Sequence, residues 1–123
     1  ARRGVDVRIL VPERSNQRLA DLARGAWLRA LARDDGHIHL HPQMVHAKAV
    51  LADDLAFVGS ANFDARSLLL NFEVMTLLYS ATEVAAVHRW MATLMAQAPE
   101  GLPSASFARR SIEGLFRLGS PIL

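Results

Sequence analysis

Two polar side chains at the start of a β-like run carry the first sign of chemistry in this sequence. His46 and Lys48 stand two residues apart, directly before the apolar residues that continue the run. Successive side chains of a strand point to opposite faces, so these two lie on the same face. An imidazole can serve as a nucleophile, and an ammonium group can hold an anion. The pair is therefore suited to act together on one anionic group such as a phosphate.

More polar residues stand where the neighbouring β-like runs begin and end. The next run closes in the sequence GSAN at 59–62, where small residues allow close backbone approach and Ser60 and Asn62 add neutral hydrogen-bond donors for phosphate oxygens. Glu73 opens the following run, and a carboxylate there could keep one nitrogen of the histidine protonated while the other attacks. Asp53 falls in the tight turn between the two earlier runs.

Together these positions resemble the HKD motif of the phospholipase D superfamily. The matching pattern is His46-x-Lys48, four residues, Asp53, five residues, and then Gly59-Ser60-x-Asn62. Polar and glycine positions at such fixed spacing rarely arise together by chance. The segment 62–73, the early stretch GVDVRILVP and the closing stretch EGLFRLGSPIL are similar to bacterial cardiolipin synthases in particular. The resemblance therefore covers nearly the whole chain.

The resemblance implies a two-step phosphatidyl transfer that needs no metal and no other cofactor. His46 is expected to attack a phosphodiester phosphorus and form a phosphohistidine, while Lys48 and Asn62 hold the non-bridging oxygens. In similar enzymes a second HKD motif supplies the histidine that protonates the leaving alcohol and deprotonates the incoming one. This sequence holds one HKD motif. The second lobe is thus expected from the same longer chain or from a homodimer partner.

Supporting roles also follow from the resemblance. Glu73 is expected to orient His46, Ser60 to help position the phosphate or the histidine, and Asp53 to support the motif structurally. The expected substrate is phosphatidylglycerol or a related phospholipid, and the parent protein is expected at the bacterial cell membrane. An anionic membrane surface is a further candidate partner, whereas nucleic acid is not favoured.

The elements that must position these residues follow a β-α-β-β-β-α order. Apolar periodicity predicts strands over 5–11, 37–41, 46–52, 55–59 and 72–79, a helix over about 15–33 weakened by Gly25, and a helix from an N-cap at Thr82 to near Pro99. This order predicts an α/β fold with a mixed β-sheet and helices packed on it. The resemblance makes it one lobe of a phospholipase D-like two-lobed fold.

The chain is predicted to divide near its C-terminal end. Residues 1–98 are expected to form the lobe that carries the HKD motif, and residues 99–123 a loop and an amphipathic tail. The tail helix, predicted over 107–118, carries three arginines. It would either lie on a membrane surface or pack on the domain. At the other end, the sequence Arg-Arg-Gly before the first strand is typical of a helix C-cap, so a longer parent protein is expected.

Composition excludes several kinds of site. The 123 residues are one domain's worth, and 14 basic against 12 acidic residues leave a net charge of +2, which gives nucleic-acid binding little support. The absence of Cys removes disulfides, thiolate metal sites and cysteine nucleophiles. No apolar run approaches the length of a membrane span, so the piece alone is expected to be soluble.

Several alternatives stay open at this point. His37, His39 and His41 alternate along one strand and would bind zinc or copper if a fourth ligand lay nearby, although a structural or surface role is favoured. Arg66 is expected to brace its loop in preference to pairing with a lipid phosphate. The function itself has two competitors. One is a homodimeric phosphodiesterase or nuclease of the same superfamily, and the other is a non-catalytic structural lobe.

Overall fold

The computed structural model describes residues 1–15 and 18–118. Its elements are β1 (Arg8–Pro12), α1 (Arg18–Arg33), β2 (His37–His41), β3 (Ala49–Ala52), β4 (Leu55–Gly59), α2 (Ala65–Leu69), β5 (Met75–Leu78), α3 (Ala81–Ala96) and α4 (Phe107–Leu118). They form two compact units. Unit 1 is the described part of Ala1–Val45 and Met95–Leu123, and unit 2 is His46–Leu94. The predicted α/β class is confirmed, while the predicted boundary between residues 98 and 99 stays a prediction.

Unit 1 contains a parallel pair of strands joined by a helix. β1 pairs with β2 in a register that runs from Arg8 opposite His37 to Pro12 opposite His41. Parallel neighbours need a crossover connection, which α1 supplies. Ile38 on β2 and Leu28 on α1 are buried, so apolar burial holds the helix to the pair of strands.

A buried ion pair joins α4 to α1 within unit 1. Glu113 of α4 is 1% exposed, and its carboxylate accepts from Arg29 Nε at 2.8 Å and from Arg109 Nε at 3.1 Å. Gly25 of α1 makes room for this carboxylate, since a Cβ there would lie 2.6 Å from Glu113 Cδ. The glycine that was expected to weaken α1 therefore admits the neighbouring helix, and α1 runs through it unbroken.

Unit 2 contains an antiparallel sheet in the order β3-β4-β5. β3 and β4 form a hairpin in which Ala52 pairs with Leu55, and Asp53 in the intervening turn has a left-handed φ of 51°. Ala56 on the central strand is fully buried. Both predicted strand directions are thus present, one in each sheet, and the tight turn between β3 and β4 requires these two neighbours to be antiparallel.

Several strands begin later than predicted, because a strand extends only where its backbone pairs with a neighbouring strand. β1 begins at Arg8, β3 at Ala49 and β5 at Met75, where ladder pairing with the neighbouring strand starts. The N-cap prediction at Thr82 is wrong, since α3 begins at Ala81 and its first helical bond runs from Val84 N to Ser80 O.

Helix α2 was not predicted, and parts of two predictions fall outside the described residues. These parts are residues 16–17 of the first predicted helix and residues 119–123 of the closing stretch. Across the described ranges, no helix combines the length and apolar character that crossing a bilayer requires.

Candidate active site

The side chains of His46 and Lys48 meet just before strand β3. Lys48 Nζ lies 2.8 Å from Nε2 and 3.1 Å from Nδ1 of His46, and it also donates to the His46 carbonyl oxygen at 3.0 Å. Backbone pairing fixes this end of the hairpin, because Gly59 N donates to the Lys48 carbonyl at 3.1 Å. The predicted same-face arrangement therefore takes the form of direct contact.

Ser60 and Glu73 form the second half of the site. Ser60 Oγ donates to Glu73 Oε2 at 2.5 Å and accepts from Val74 N at 3.0 Å. The backbone binds the same two segments, since Ser60 N donates to Val74 O at 2.9 Å. Gly59 is required for this approach, because a Cβ at that position would collide with the Val74 carbonyl oxygen. The serine hydroxyl thus has a donor and an acceptor partner already in place.

The loop between β4 and β5 reaches Glu73 from its other side. Asn71 Nδ2 donates to Glu73 Oε1 at 3.3 Å, and Arg66 Nε donates to Asn71 Oδ1 at 3.4 Å. Arg66 therefore braces this loop. Helix α2 begins with Asp64 as its N-cap, whose side chain accepts from Ser67 N at 2.7 Å, and Ser67 is buried.

Hydrogen bonds and charge lower the pKa of the Glu73 carboxyl group. The largest cause is the hydrogen bond from Ser60, which outweighs the opposing effect of desolvation. Hydrogen bonds from Asn71 and Ser67 lower it further, and so does the positive charge of Lys48. Glu73 is therefore an anion near neutral pH, and it lies within electrostatic range of the cation beside His46.

The remaining predicted residues stand apart from these contacts. Asn62 is exposed in the loop that follows β4. Asp53 lies in the turn that closes the β3–β4 hairpin, whereas Lys48 precedes β3 at the opposite end. The supporting role expected of Asp53 in the motif stays a prediction. No hydrogen bond joins Glu73 to His46 within residues 1–15 and 18–118, so the orienting role of Glu73 also stays a prediction.

The three alternating histidines each have their own neighbour in unit 1. His37 Nδ1 lies 2.6 Å from Glu100 Oε1, and His39 Nδ1 lies 3.1 Å from the Ala98 carbonyl. His41 is buried, and its Nδ1 accepts from Gln43 N at 3.1 Å. Among the described residues no cluster of His, Asp or Glu is arranged to hold a metal ion.

Sequence reasoning missed the support that Glu73 receives. Ser67 and Asn71 lie in the segment 62–73 that resembles cardiolipin synthases, and the sequence alone gives neither of them a role. The available signal was Asp64, whose spacing to Ser67 is typical of an N-cap and predicts a short helix before the loop turns back.

The surroundings of the site are open and apolar. The segment that connects β4 to β5 exposes a set of large apolar side chains, which are Phe63, Leu68, Leu69, Leu70, Phe72 and Val74. A depression of about 510 Å³ elsewhere in unit 2 is lined by Tyr79, His88 and Arg89 among others, and none of the predicted site residues lines it.

Curated relatives match almost all of the chain. They include cardiolipin synthase A of Pseudomonas aeruginosa, with 39% identity, and cardiolipin synthase 1 of Bacillus cereus, with 33% identity. Each alignment covers 98% of this chain but only 26% and 25% of the respective relative. The chain therefore spans about a quarter of the length of these relatives. No solved structure matches it.

The chain also matches a protein family as a whole. Residues 1–95 match the family described as "Cardiolipin synthase, PLD-like domain". This range includes every residue of the candidate site, from His46 to Glu73. Because the match covers well over half of its residues, the chain belongs to the cardiolipin synthase PLD-like domain family.

Proposed function

We propose that this chain is the C-terminal half of a two-motif enzyme that transfers a phosphatidyl group between phospholipids through a phosphohistidine. The observation that carries the proposal is the contact between Lys48 Nζ and His46 Nε2 at 2.8 Å, within a chain of the cardiolipin synthase family. That contact supports a joint role for the His46 imidazole as nucleophile and the Lys48 ammonium group as phosphate-binding cation. The relatives are named cardiolipin synthases, which supports lipid as the substrate class.

In the first step, His46 Nε2 attacks the phosphodiester phosphorus. A phosphate oxygen that accepts from Lys48 draws the ammonium group away from the ring and frees the nitrogen lone pair for attack. The P–N bond forms as the P–O bond to the leaving alcohol breaks, and the leaving oxygen takes a proton from the histidine of a second motif. Lys48 and Asn62 stabilise the non-bridging oxygens as their charge rearranges.

In the second step, the hydroxyl group of another lipid attacks the phosphohistidine. The P–N bond to His46 breaks, a new P–O bond forms, and the second-motif histidine takes the proton of the incoming hydroxyl. With phosphatidylglycerol as both donor and acceptor, the products are cardiolipin and glycerol. Glu73 keeps a negative charge near the site throughout, which favours the positive imidazole that forms transiently.

The second motif comes from a second lobe, either in the same longer chain or in a homodimer partner. Two observations support the requirement for a second lobe. The sequence holds one HKD motif, and the chain spans about a quarter of the length of its curated relatives. The open apolar surroundings of the site would also be covered by such a lobe. We place the parent protein at the bacterial cell membrane, where its substrates are.

The test is to trap the intermediate in the parent protein. Incubation with phospholipid labelled at phosphorus and rapid denaturation should leave an acid-labile adduct on the protein, which His46→Ala abolishes. His88→Ala, an exposed histidine of α3, is the matched control and should keep the label.

Three results would contradict the proposal. Label retained after His46→Ala would exclude this residue as the nucleophile. A homodimer that cleaves nucleic acid and transfers no lipid would favour the nuclease alternative. Full transfer activity in the His46→Ala parent protein would make this chain a structural lobe.

A further inference from the structure

Helix α4 turns its acidic residue toward the protein and leaves several of its large apolar side chains exposed. Glu113, the acidic residue of the helix, is 1% exposed and is held by Arg29 of α1. Arg29 also donates through Nη1 to the Pro103 carbonyl at 3.1 Å, in the segment that leads into α4. An amphipathic helix of a globular protein normally buries its apolar side. In α4 the acidic Glu113 is buried, whereas large apolar side chains are exposed.

The side chains on the outer face are large and exposed. Phe107 is 87% exposed, Ile112 47% and Leu115 68%. At about 100° per residue, these three positions fall within an arc of about 140°. They form a largely apolar stripe, which also contains Ser111 and which we call the outer face of α4.

The ion pair explains why α4 is set in this way. Glu113 lies over Gly25, where an added Cβ would stand 2.6 Å from Cδ of Glu113. Arg29 of α1 donates to both carboxylate oxygens, so rotation of α4 about its axis would break these two bonds and leave the partly buried Arg29 without its carboxylate. The outer face is therefore held toward solvent by bonds on the opposite side of the helix.

We propose that the outer face of α4, formed by Phe107, Ile112 and Leu115, docks on the surface of an anionic bilayer. The charge of the helix fits this occupant. Its sequence contains three arginines against the single Glu113, whose negative charge is already balanced by Arg29. The Arg109 side chain is 54% exposed and stands next to the stripe, where it can meet lipid headgroups. An apolar stripe with flanking cations is typical of helices that lie in a membrane interface.

The area of the stripe argues against a second copy as the occupant. Three large side chains expose at most about 500 Å² together, whereas a stable dimer buries about 800 Å² on each partner. Shallow insertion into a bilayer has no such requirement. The inference concerns surface binding alone and does not depend on the proposed transfer reaction.

The test measures co-sedimentation of the 123-residue chain with phosphatidylcholine vesicles, with and without phosphatidylglycerol. We expect binding to the anionic vesicles that weakens with added salt. The variant with Phe107→Ser, Ile112→Ser and Leu115→Ser should bind at least about tenfold more weakly. A variant with Leu69→Ser and Leu70→Ser removes two exposed leucines from unit 2 and should keep its binding. Circular dichroism checks that both variants fold.

A local probe separates insertion of α4 from general adsorption. The chain contains no Cys, so Leu115→Cys can carry a single polarity-sensitive fluorophore. Its emission should shift to the blue with anionic vesicles, while a label at Glu83→Cys on α3 should not shift. Three results would overturn the proposal: no binding to either vesicle, loss of binding only in the unit 2 variant, or a concentration-dependent dimer that the α4 substitutions abolish.

Discussion

Ser60 and Glu73 share the shortest polar contact of the candidate site, at 2.5 Å between Oγ and Oε2. The same hydroxyl oxygen accepts from Val74 N at 3.0 Å. A serine hydroxyl has one proton to donate, and here that proton is directed to the carboxylate. The Ser60 hydroxyl therefore donates to Glu73, and it can donate to a substrate phosphate only if the bond to Glu73 breaks.

Removal of the Ser60 hydroxyl should raise the pKa of the Glu73 carboxyl. The hydrogen bond from Ser60 is the largest cause that lowers this pKa, so Ser60→Ala removes it and lets the carboxyl protonate at higher pH. Ser60→Thr keeps a hydroxyl and should keep the low pKa. The measurement is an NMR titration of the Glu73 side-chain carboxyl carbon. Identical titration curves for Ser60→Ala and the wild type would show that the serine does not hold the carboxylate.

Loss of the Lys48 ammonium group should slow lipid transfer by the parent protein. Lys48 is the cation in contact with His46, and removal of one preorganised donor at a site of developing charge typically costs about 10²–10³-fold in kcat. Lys48→Ala should show this loss with the enzyme still folded. Arg89→Ala removes an exposed cation of α3 and should stay within about twofold of the wild type. A Lys48→Ala enzyme with full kcat would exclude the phosphate-binding role.

The sequence predicts the hairpin of the site well because its signals are local. The strand β4 occupies the predicted range 55–59, and Asp53 stands in the predicted turn. Both follow from a short apolar run and from turn chemistry within a few positions. The spacing of two residues likewise predicts that His46 and Lys48 lie on one face, although their direct contact is a finding of the structure.

What the sequence could not predict depends on distant neighbours. The bond between Ser60 and Glu73 joins residues 13 positions apart through a loop whose path is set by helix α2. The packing of Glu113 over Gly25 brings together two helices, α4 and α1, that are far apart in the chain. In isolation, Gly25 reads as a helix breaker, and only the partner helix explains it.

Substitution of Gly59 should destabilise unit 2. A Cβ at this position collides with the carbonyl oxygen of Val74, which is backbone and cannot move without breaking the β4–β5 pairing. We expect Gly59→Ala to lower the free energy of unfolding by about 1–3 kcal/mol. The measurement is urea denaturation followed by circular dichroism. Gly114→Ala is the control, since its Cβ would meet open space within α4 and should raise stability by up to about 1 kcal/mol. Equal stability of the two variants would contradict the close approach at Gly59.

Glu113 should make the stability of unit 1 depend on pH. The hydrogen bond and charge of Arg29 hold the pKa of the Glu113 carboxyl below its ordinary value, with a smaller contribution from Arg109. A depressed pKa in the folded state means that this stabilisation is fully present above the unfolded pKa, which is about 4.3. It is lost as the pH falls through the lower folded value. Hydrogen exchange of α1 and α4 amides between neutral and acidic pH should follow this loss.

Glu113→Ala should remove both the pH dependence of the stability of unit 1 and the ion pair that holds α4 on α1. It leaves the partly buried Arg29 without its carboxylate, so we expect a loss of roughly 3 kcal/mol in the stability of unit 1. Glu83→Ala, in the exposed first turn of α3, should change the stability of unit 1 little. If the α4 amides are equally protected from hydrogen exchange in the two variants at neutral pH, the ion pair does not hold the helix on α1. The ion pair would then not explain the orientation of the outer face.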